Sequence, residues 1–396
     1  MFSAMNQIAA ITVANLRTIP SRLGTSLVIV IGLAGVVAVL TSLMAMSNGL
    51  GATLLATGKQ DRVVMLRASS QAELNSVLVR GDIDIAKQAP GIAKDATGNA
   101  IASAELIVIT ELLAKGQSKG GVNVSLRGVE QSAFVLRPEV RVVAGERFKP
   151  GLREVLVGKK AQSQFSGLEL GASVRFRGAE WKIVGVFESG DAHESELWVD
   201  VETAQSSFGR GNSYSTLVAQ LENVASFDAL KAALAADPRM KVDLERERSY
   251  YSAQTEQSTR GIKFLTAVVS VIMGFGALFS ALNTMYSAVS TRTKEIATLR
   301  AIGFGGLPVM VSVLAESMLL ALLGGLLGAV IAYALFNGYT ISTLGAGFTQ
   351  IAFSFAVSPK LVAIGLILSL CIGFFGGLLP AFSAARTNIP TALRAG

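Results

Sequence analysis

Asp191, His193, Glu194 and Glu196 are the one run in this 396-residue chain whose residue types match a metal site. Carboxylates beside an imidazole could hold a divalent cation, but the chain has a single histidine. No second imidazole completes a ligand set or a nucleophile–base relay, and such a run reads more readily as a solvated loop. Two glycine–lysine pairs, Gly58-Lys59 and Gly158-Lys159, follow earlier glycines at Gly51 and Gly151. A phosphate loop needs four residues between its glycines and a Ser or Thr after the lysine, because backbone amides and that hydroxyl hold phosphate and magnesium. Both runs are too widely spaced and lack the hydroxyl, so the chain is expected to bind no ATP and to be no enzyme. Glu316 is different in kind. It is a carboxylate inside a long apolar stretch, where a charge is costly unless paired or hydrated, so it is a functional candidate by default. The competing reading is a salt bridge or helix cap with a cytoplasmic Arg, because about 12 Å of helix rise from Pro308 places Glu316 near the inner leaflet.

The elements that must position these residues follow from hydropathy. Apolar residues make up 51% of the chain and charged residues 16%, too apolar for an ordinary soluble protein and too charged for membrane throughout. Four stretches can cross a hydrocarbon core, which takes about 20 helical residues. They are residues 26–47, 263–290, 308–337 (with Glu316) and 361–382. Around them lie an N-terminal amphipathic helix (1–25), a polar α+β domain with a stalk (48–262), a short connecting helix (291–307), a loop (338–360) and a tail (383–396). The first span has too long a basic lead-in and too long an apolar run for a cleaved signal peptide.

Charge orients the chain. The net charge is +7, yet the 48–262 segment is neutral. The excess sits at Arg17, Arg22, Lys263, Arg292, Lys294, Arg300, Lys360, Arg386 and Arg394, against Glu295 and Glu316. Most of these cations lie in the two terminal segments and the 291–307 connection. The positive-inside rule therefore puts both termini and that connection in the cytoplasm, and the polar domain outside. A basic surface for nucleic acid is excluded by the same distribution. The single cysteine, Cys371, lies within the fourth span, so no intrachain disulfide can form.

In the polar domain, Arg62–Arg67, Gly121–Arg127, Val140–Val143 and Glu154–Val157 read as strands. Ser173–Arg177 alternates apolar and basic residues and pairs with Trp181–Phe187 across a turn at Gly178-Ala179. Helices are expected at Asp228–Ala236 and from near Tyr250 into the second span. In the connection, Ile296, Leu299 and Ile302 recur every three residues, giving one apolar face, with Gly303 placed to cap the helix. Such a helix could lie in the headgroups or dock on a cytoplasmic partner. Gly324 with Gly328 and Gly373 with Gly377 have the spacing that lets helices approach closely, within one subunit or between two.

The run from Arg292 through Lys294, Glu295, Ile296, Leu299, Arg300 and Ile302 to Gly303 resembles the signature of FtsX/MacB-type (type VII) ABC transporter permeases. Three further segments are similar to that family: Ala14–Arg17 with Arg22 and Pro20, Glu154 through Phe187, and Leu379–Arg386 with Ile389–Arg394. Phe382-Ser383 departs from the basic residues common in the family's tail. The likeness spans the whole chain in order, one span before the domain and three after it. It implies that Arg292–Gly303 is a coupling helix seated on a separate ATPase subunit, which would carry the ATP and magnesium. It further implies a bacterial inner-membrane protein, a homodimer or pair of related permeases, and mechanotransmission rather than a wide channel. Export of a peptide, lipid, lipoprotein or small molecule is the expected use, with room for a periplasmic adaptor. The alternative is a non-transporting scaffold that controls an extracytoplasmic partner such as a cell-wall hydrolase.

Overall fold

A computed structural model describes residues 4–18, 23–344 and 350–390. Pro20, Arg22 and Thr391–Arg394 lie outside the described residues, as does the side chain of Arg17. In chain order come α1 (Ala4–Thr18), α2 (Leu23–Thr57), β1 (Arg62–Arg67), β2 (Leu78–Val79), α3 (Arg80–Gln88), β3 (Ala102–Leu113) and β4 (Gly121–Val129). There follow α4 (Ala133–Leu136), β5 (Arg141–Gly145), β6 (Glu154–Gly158), α5 (Lys159–Gln164), β7 (Ser173–Phe176), β8 (Ala179–Glu188) and β9 (Leu197–Asp200). Then α6 (Val201–Ser207), β10 (Ser213–Tyr214), β11 (Thr216–Gln220), α7 (Ser226–Ala236) and β12 (Val242–Arg246) complete the domain. The remainder is α8 (Glu247–Thr291), α9 (Thr293–Ala301), α10 (Gly306–Phe336), the hairpin β13 (Thr340–Leu344) and β14 (Gln350–Ser354), and α11 (Pro359–Ala385).

These elements form two compact units. One holds Met1–Asn48, Gly261–Tyr339 and Phe355–Gly396; the other holds Gly49–Arg260 together with Thr340–Ser354. In the first, α2, α8, α10 and α11 are each long and apolar enough to span a membrane. The bundle core is built from Leu33 and Val36 of α2, Met285 of α8, Val313 and Leu320 of α10, and Ile372 and Ala381 of α11. Small residues set its closest approaches. A Cβ at Gly324 or Gly328 would collide with the backbone of Val30 or Ala34 in α2, and one at Gly373 or Gly377 with Ala321 or Ser317 in α10. All four glycines therefore serve packing within the chain. Ser317 Oγ donates to the Gly373 carbonyl (3.0 Å) and Ser369 Oγ to the Ala321 carbonyl (2.6 Å), tying α10 to α11 where no water competes.

The second unit is an α+β domain on a mixed sheet of order β12-β1-β11-β3-β4-β9-β6-β8-β5, with β7 beside β8. Most neighbours are antiparallel; β4–β9 and β6–β8 are parallel. The β7–β8 turn is Arg177-Gly178, one residue earlier than expected. Both residues have positive φ (47° and 81°), as the two-residue turn that matches strand twist requires. Trp181 and Trp198 are fully buried. Beside them lies an ionic core in which buried Glu105 takes Arg127 Nη1 (2.8 Å) and Arg137 Nη1 (2.5 Å), while Arg127 also holds Glu73 and the partly buried Glu196. Burial pushes the Glu105 carboxyl up, but Arg137 and Arg127 outweigh it and hold the group at about 2.

The run Asp191–Glu196 is not the solvated loop its composition suggests. Asp191 and His193 are 2% and 1% exposed. His193 Nδ1 lies 3.2 Å from the Asp191 carboxylate, and Glu194 accepts from the backbone of Ser189 and Gly190. Asp191 raises the His193 pKa against the lowering effect of burial. Glu196 accepts from Arg127 and from Trp198 Nε1. Among the described residues no cluster could hold a metal ion. The glycines of the two phosphate-loop near-misses also have structural reasons: a Cβ at Gly58 would strike Arg248, and one at Gly158 the backbone of Glu194.

Candidate coupling site

The site begins where α8 ends. Arg292 breaks the helix with φ −108° and ψ 11°, and α9 restarts at Thr293. α9 closes in a Schellman arrangement: the Gly303 amide donates to Arg300 (3.2 Å) and the Phe304 amide to Leu299 (3.1 Å). Gly303 takes φ +105°, a left-handed conformation that disfavours any side chain. The cap itself is Ile302, and Gly303 is the residue after it.

Arg292, whose type and place suggest a surface contact, turns inward and is 7% exposed. Its Nη1 donates to Glu316 Oε2 (3.1 Å) and its Nε faces Glu295 Oε2 (3.4 Å). Its Nη2 donates to Asn15 Oδ1 on α1, and Asn15 Nδ2 donates to Ser312 Oγ on α10. Glu316 is 6% exposed and Ser312 fully buried. The cluster thus joins α1, the α8–α9 corner and α10. Of the two readings of Glu316, the geometry gives the ion pair. Its partner lies 24 residues away in sequence and was not identifiable there. A buried pair contributes little net stability when intact, but losing one partner strands the other charge, at a cost of about 3–5 kcal/mol.

The remaining residues of α9 divide by face. Ile296 is buried in the bundle core and Leu299 is half-buried. Arg300 donates to the Thr387 carbonyl after α11 (2.9 Å), and the Gly305 amide to Gln7 on α1 (3.4 Å). Lys294, Glu295 and Thr298 are exposed, and so is Ile302, which lies beyond the last helical turn and leaves the apolar face. The outward surface is therefore Lys294, Glu295, Thr298 and Ala301 of α9, with Ile302 at its cap. Asn15 and Ser312 are cluster members that sequence did not single out. Both are common, uncharged residues, and only the hydrogen bonds distinguish them.

Residues 24–237 match the model of the MacB-like periplasmic core domain, and residues 267–389 that of the FtsX-like permease C-terminal domain. An uncharacterized ABC transporter permease, YknZ of Bacillus subtilis (strain 168), is 28% identical over 299 residues, covering 72% of this chain and 70% of its own. A second from the same organism, YvrN, is 23% identical over 413 residues and 96% of each chain. The macrolide export ATP-binding/permease protein MacB of Bordetella avium (strain 197N) is 24% identical over 67% of this chain and 43% of its own. The crystal structure of the extracellular domain of YknZ from Gram-positive bacteria covers 46% of this chain and 99% of that domain, at 20% identity and a TM-score of 0.36.

Proposed function

The chain belongs to the FtsX/MacB-type family of ABC transporter permeases, and from that premise we propose that it is the membrane subunit of an exporter driven by a separate ATPase. The ATPase docks on the outward surface of α9 and its cap, at Lys294, Glu295, Thr298 and Ile302. ATP and magnesium are held by that partner. Its movement rotates α9, which the Arg292–Glu316 pair fixes to α1, α8 and α10, so the bundle moves as one lever. α8 runs unbroken from Glu247 to Thr291, roughly 68 Å at 1.5 Å per residue, and so reaches well beyond a hydrocarbon core of about 30 Å. It carries the movement to the outer domain, where a peptide, lipid, lipoprotein or small molecule is expelled.

The observation that carries this reading is the braced α9: a short helix, anchored by a buried ion pair, with a mixed polar and apolar surface turned away from its own bundle. The chain acts as two copies, each with an ATPase, in the inner membrane with both termini cytoplasmic. Purification from native membranes in mild detergent, with mass spectrometry and an ATPase assay, tests it. The expected result is co-purification of an ABC ATPase whose stimulation is lost on Glu295→Lys or Lys294→Glu, with membrane insertion intact. Recovery of the chain alone in several detergents overturns the reading.

A further inference from the structure

The segment between α10 and α11 pairs Thr340–Leu344 with Gln350–Ser354, and this hairpin belongs to the outer unit, though helices of the bundle flank it in sequence. An isolated two-stranded hairpin is marginal in water, so its order depends on what it packs against. Ala352 and Phe353 are fully buried. The Ala352 amide donates to Ser195 Oγ (2.9 Å), and Ser195 is itself buried. The backbone of Ser354 passes so close to α2 that any Cβ at Gly49 would collide with its carbonyl oxygen.

The docking point adjoins the ionic core. Ser195 precedes Glu196, which holds Arg127 (2.8 Å); Arg127 holds Glu73 (3.0 Å); and the Glu73 amide donates to Tyr250 Oη (3.1 Å) near the start of α8. Gln350 and Ile351 line the same cavity, about 80 Å³, as Glu73, Arg127, His193 and Tyr250. The hairpin, α2 and α8 thus meet one buried charge cluster, all within the outer unit.

We propose that the α10–α11 hairpin is a third attachment of the outer domain, with Ser195 and Gly49 as its positioning residues. Displacement of α10 and α11 then reaches the sheet through β14, alongside the routes through α2 and α8. This rests on the reading of the chain as an ATP-driven transmitter. Packed, hydrogen-bonded contacts of this kind carry coupling only if the attachment persists while the rest moves.

The test uses the full chain with its ATPase, in a Cys371→Ser background because Cys371 is free. In the pair Ser195→Cys/Ala352→Cys, a disulfide is expected to form with and without nucleotide and to leave ATPase stimulation within about twofold. Failure to cross-link, or activity restored only by reductant, overturns the proposal. Conversely, Ser195→Ala with Phe353→Ser releases the hairpin. Spin-label distances across the outer domain are then expected to lose at least half of their nucleotide-dependent change, with trypsin resistance of the domain unchanged and Ser195→Thr retaining the response. An undiminished change overturns it. A parent complex with no nucleotide-dependent change instead sinks the functional reading and this route together, whereas failure in a responsive parent sinks the hairpin route alone.

Discussion

At the scale of single residues, both units depend on charges taken out of water. Glu316→Ala leaves the Arg292 guanidinium buried beside Asn15, and a loss of about 3–5 kcal/mol is expected. The double change Arg292→Met/Glu316→Leu should recover most of the thermal stability in detergent while abolishing coupling. Equal loss in the single and double variants would show that the pair does not act as a unit. In the outer domain the sign of the pH dependence follows from Glu105. Its folded pKa of about 2 is depressed below the ordinary carboxylate value, so its stabilisation is fully present above roughly pH 4.5 and disappears as pH falls towards 2. The amount at stake is about 3 kcal/mol at the usual conversion. The thermal unfolding midpoint of the domain should therefore fall as pH drops below about 4, whereas the raised His193 pKa favours the folded state as pH falls from 7 through 6.5. Glu105→Gln should be weakened at neutral pH, because two guanidiniums lose their shared negative charge, and should lose less than the parent as pH falls. An Arg partner for Glu316 was among the readings of the sequence, though which Arg was not; the pairings of Glu105 were not legible. Sequence identified Glu316 as anomalous because apolar residues flank it, but nothing local to Glu105 or Arg292 names a partner tens of residues away.

At the scale of elements, legibility followed the strength of local pattern. The four spans were legible because about twenty apolar residues have few other uses, although α2 extends to Thr57, well beyond the apolar run that marked it. Strands with clean alternation, such as Ser173–Phe176, were legible too. β3 was not. It is a central strand buried on both faces for much of its length, and the charged Glu105 in its midst disguises it until Arg127 and Arg137 are seen. The hairpin β13–β14 is short and depends on the outer domain, so it read as loop. The end of α9 was legible in kind, since Gly303 satisfies a left-handed position. Gly303→Ala should cost on the order of 1 kcal/mol and misdirect the connection into α10, lowering ATPase stimulation more than protein yield. Gly328→Leu is the harsher change. It drives a side chain into the backbone of α2 at Ala34, and cellular levels of the intact protein should fall severely. Normal accumulation of that variant would mean that α2 and α10 pack less closely than described.

At the scale of the whole molecule, the distribution of charge and the geometry of the bundle reinforce each other. Sequence assigns the cationic excess to the N-terminal segment, the α8–α10 connection and the tail. The bundle brings these same segments together: Gln7 and Asn15 of α1 bond to Gly305 and Arg292, and Arg300 bonds to Thr387. Three charged segments gathered at one end of a four-helix bundle must share a membrane face, and lysine and arginine favour retention in the cytoplasm. The outer domain, with its balanced charges, exerts no comparable pull. On this ground we propose that α9 faces the cytoplasm, the side from which an ATPase would reach it. Single cysteines in a Cys371→Ser background make the orientation measurable. A membrane-impermeant thiol reagent should label Ser118→Cys, on the exposed connection between β3 and β4, in cells whose outer envelope is permeable to it. Thr298→Cys, on the exposed face of α9, should be labelled only after the inner membrane is opened. The reverse pattern would place α9 out of reach of ATP, and no arrangement of the buried pair could then make this chain an ATP-driven lever.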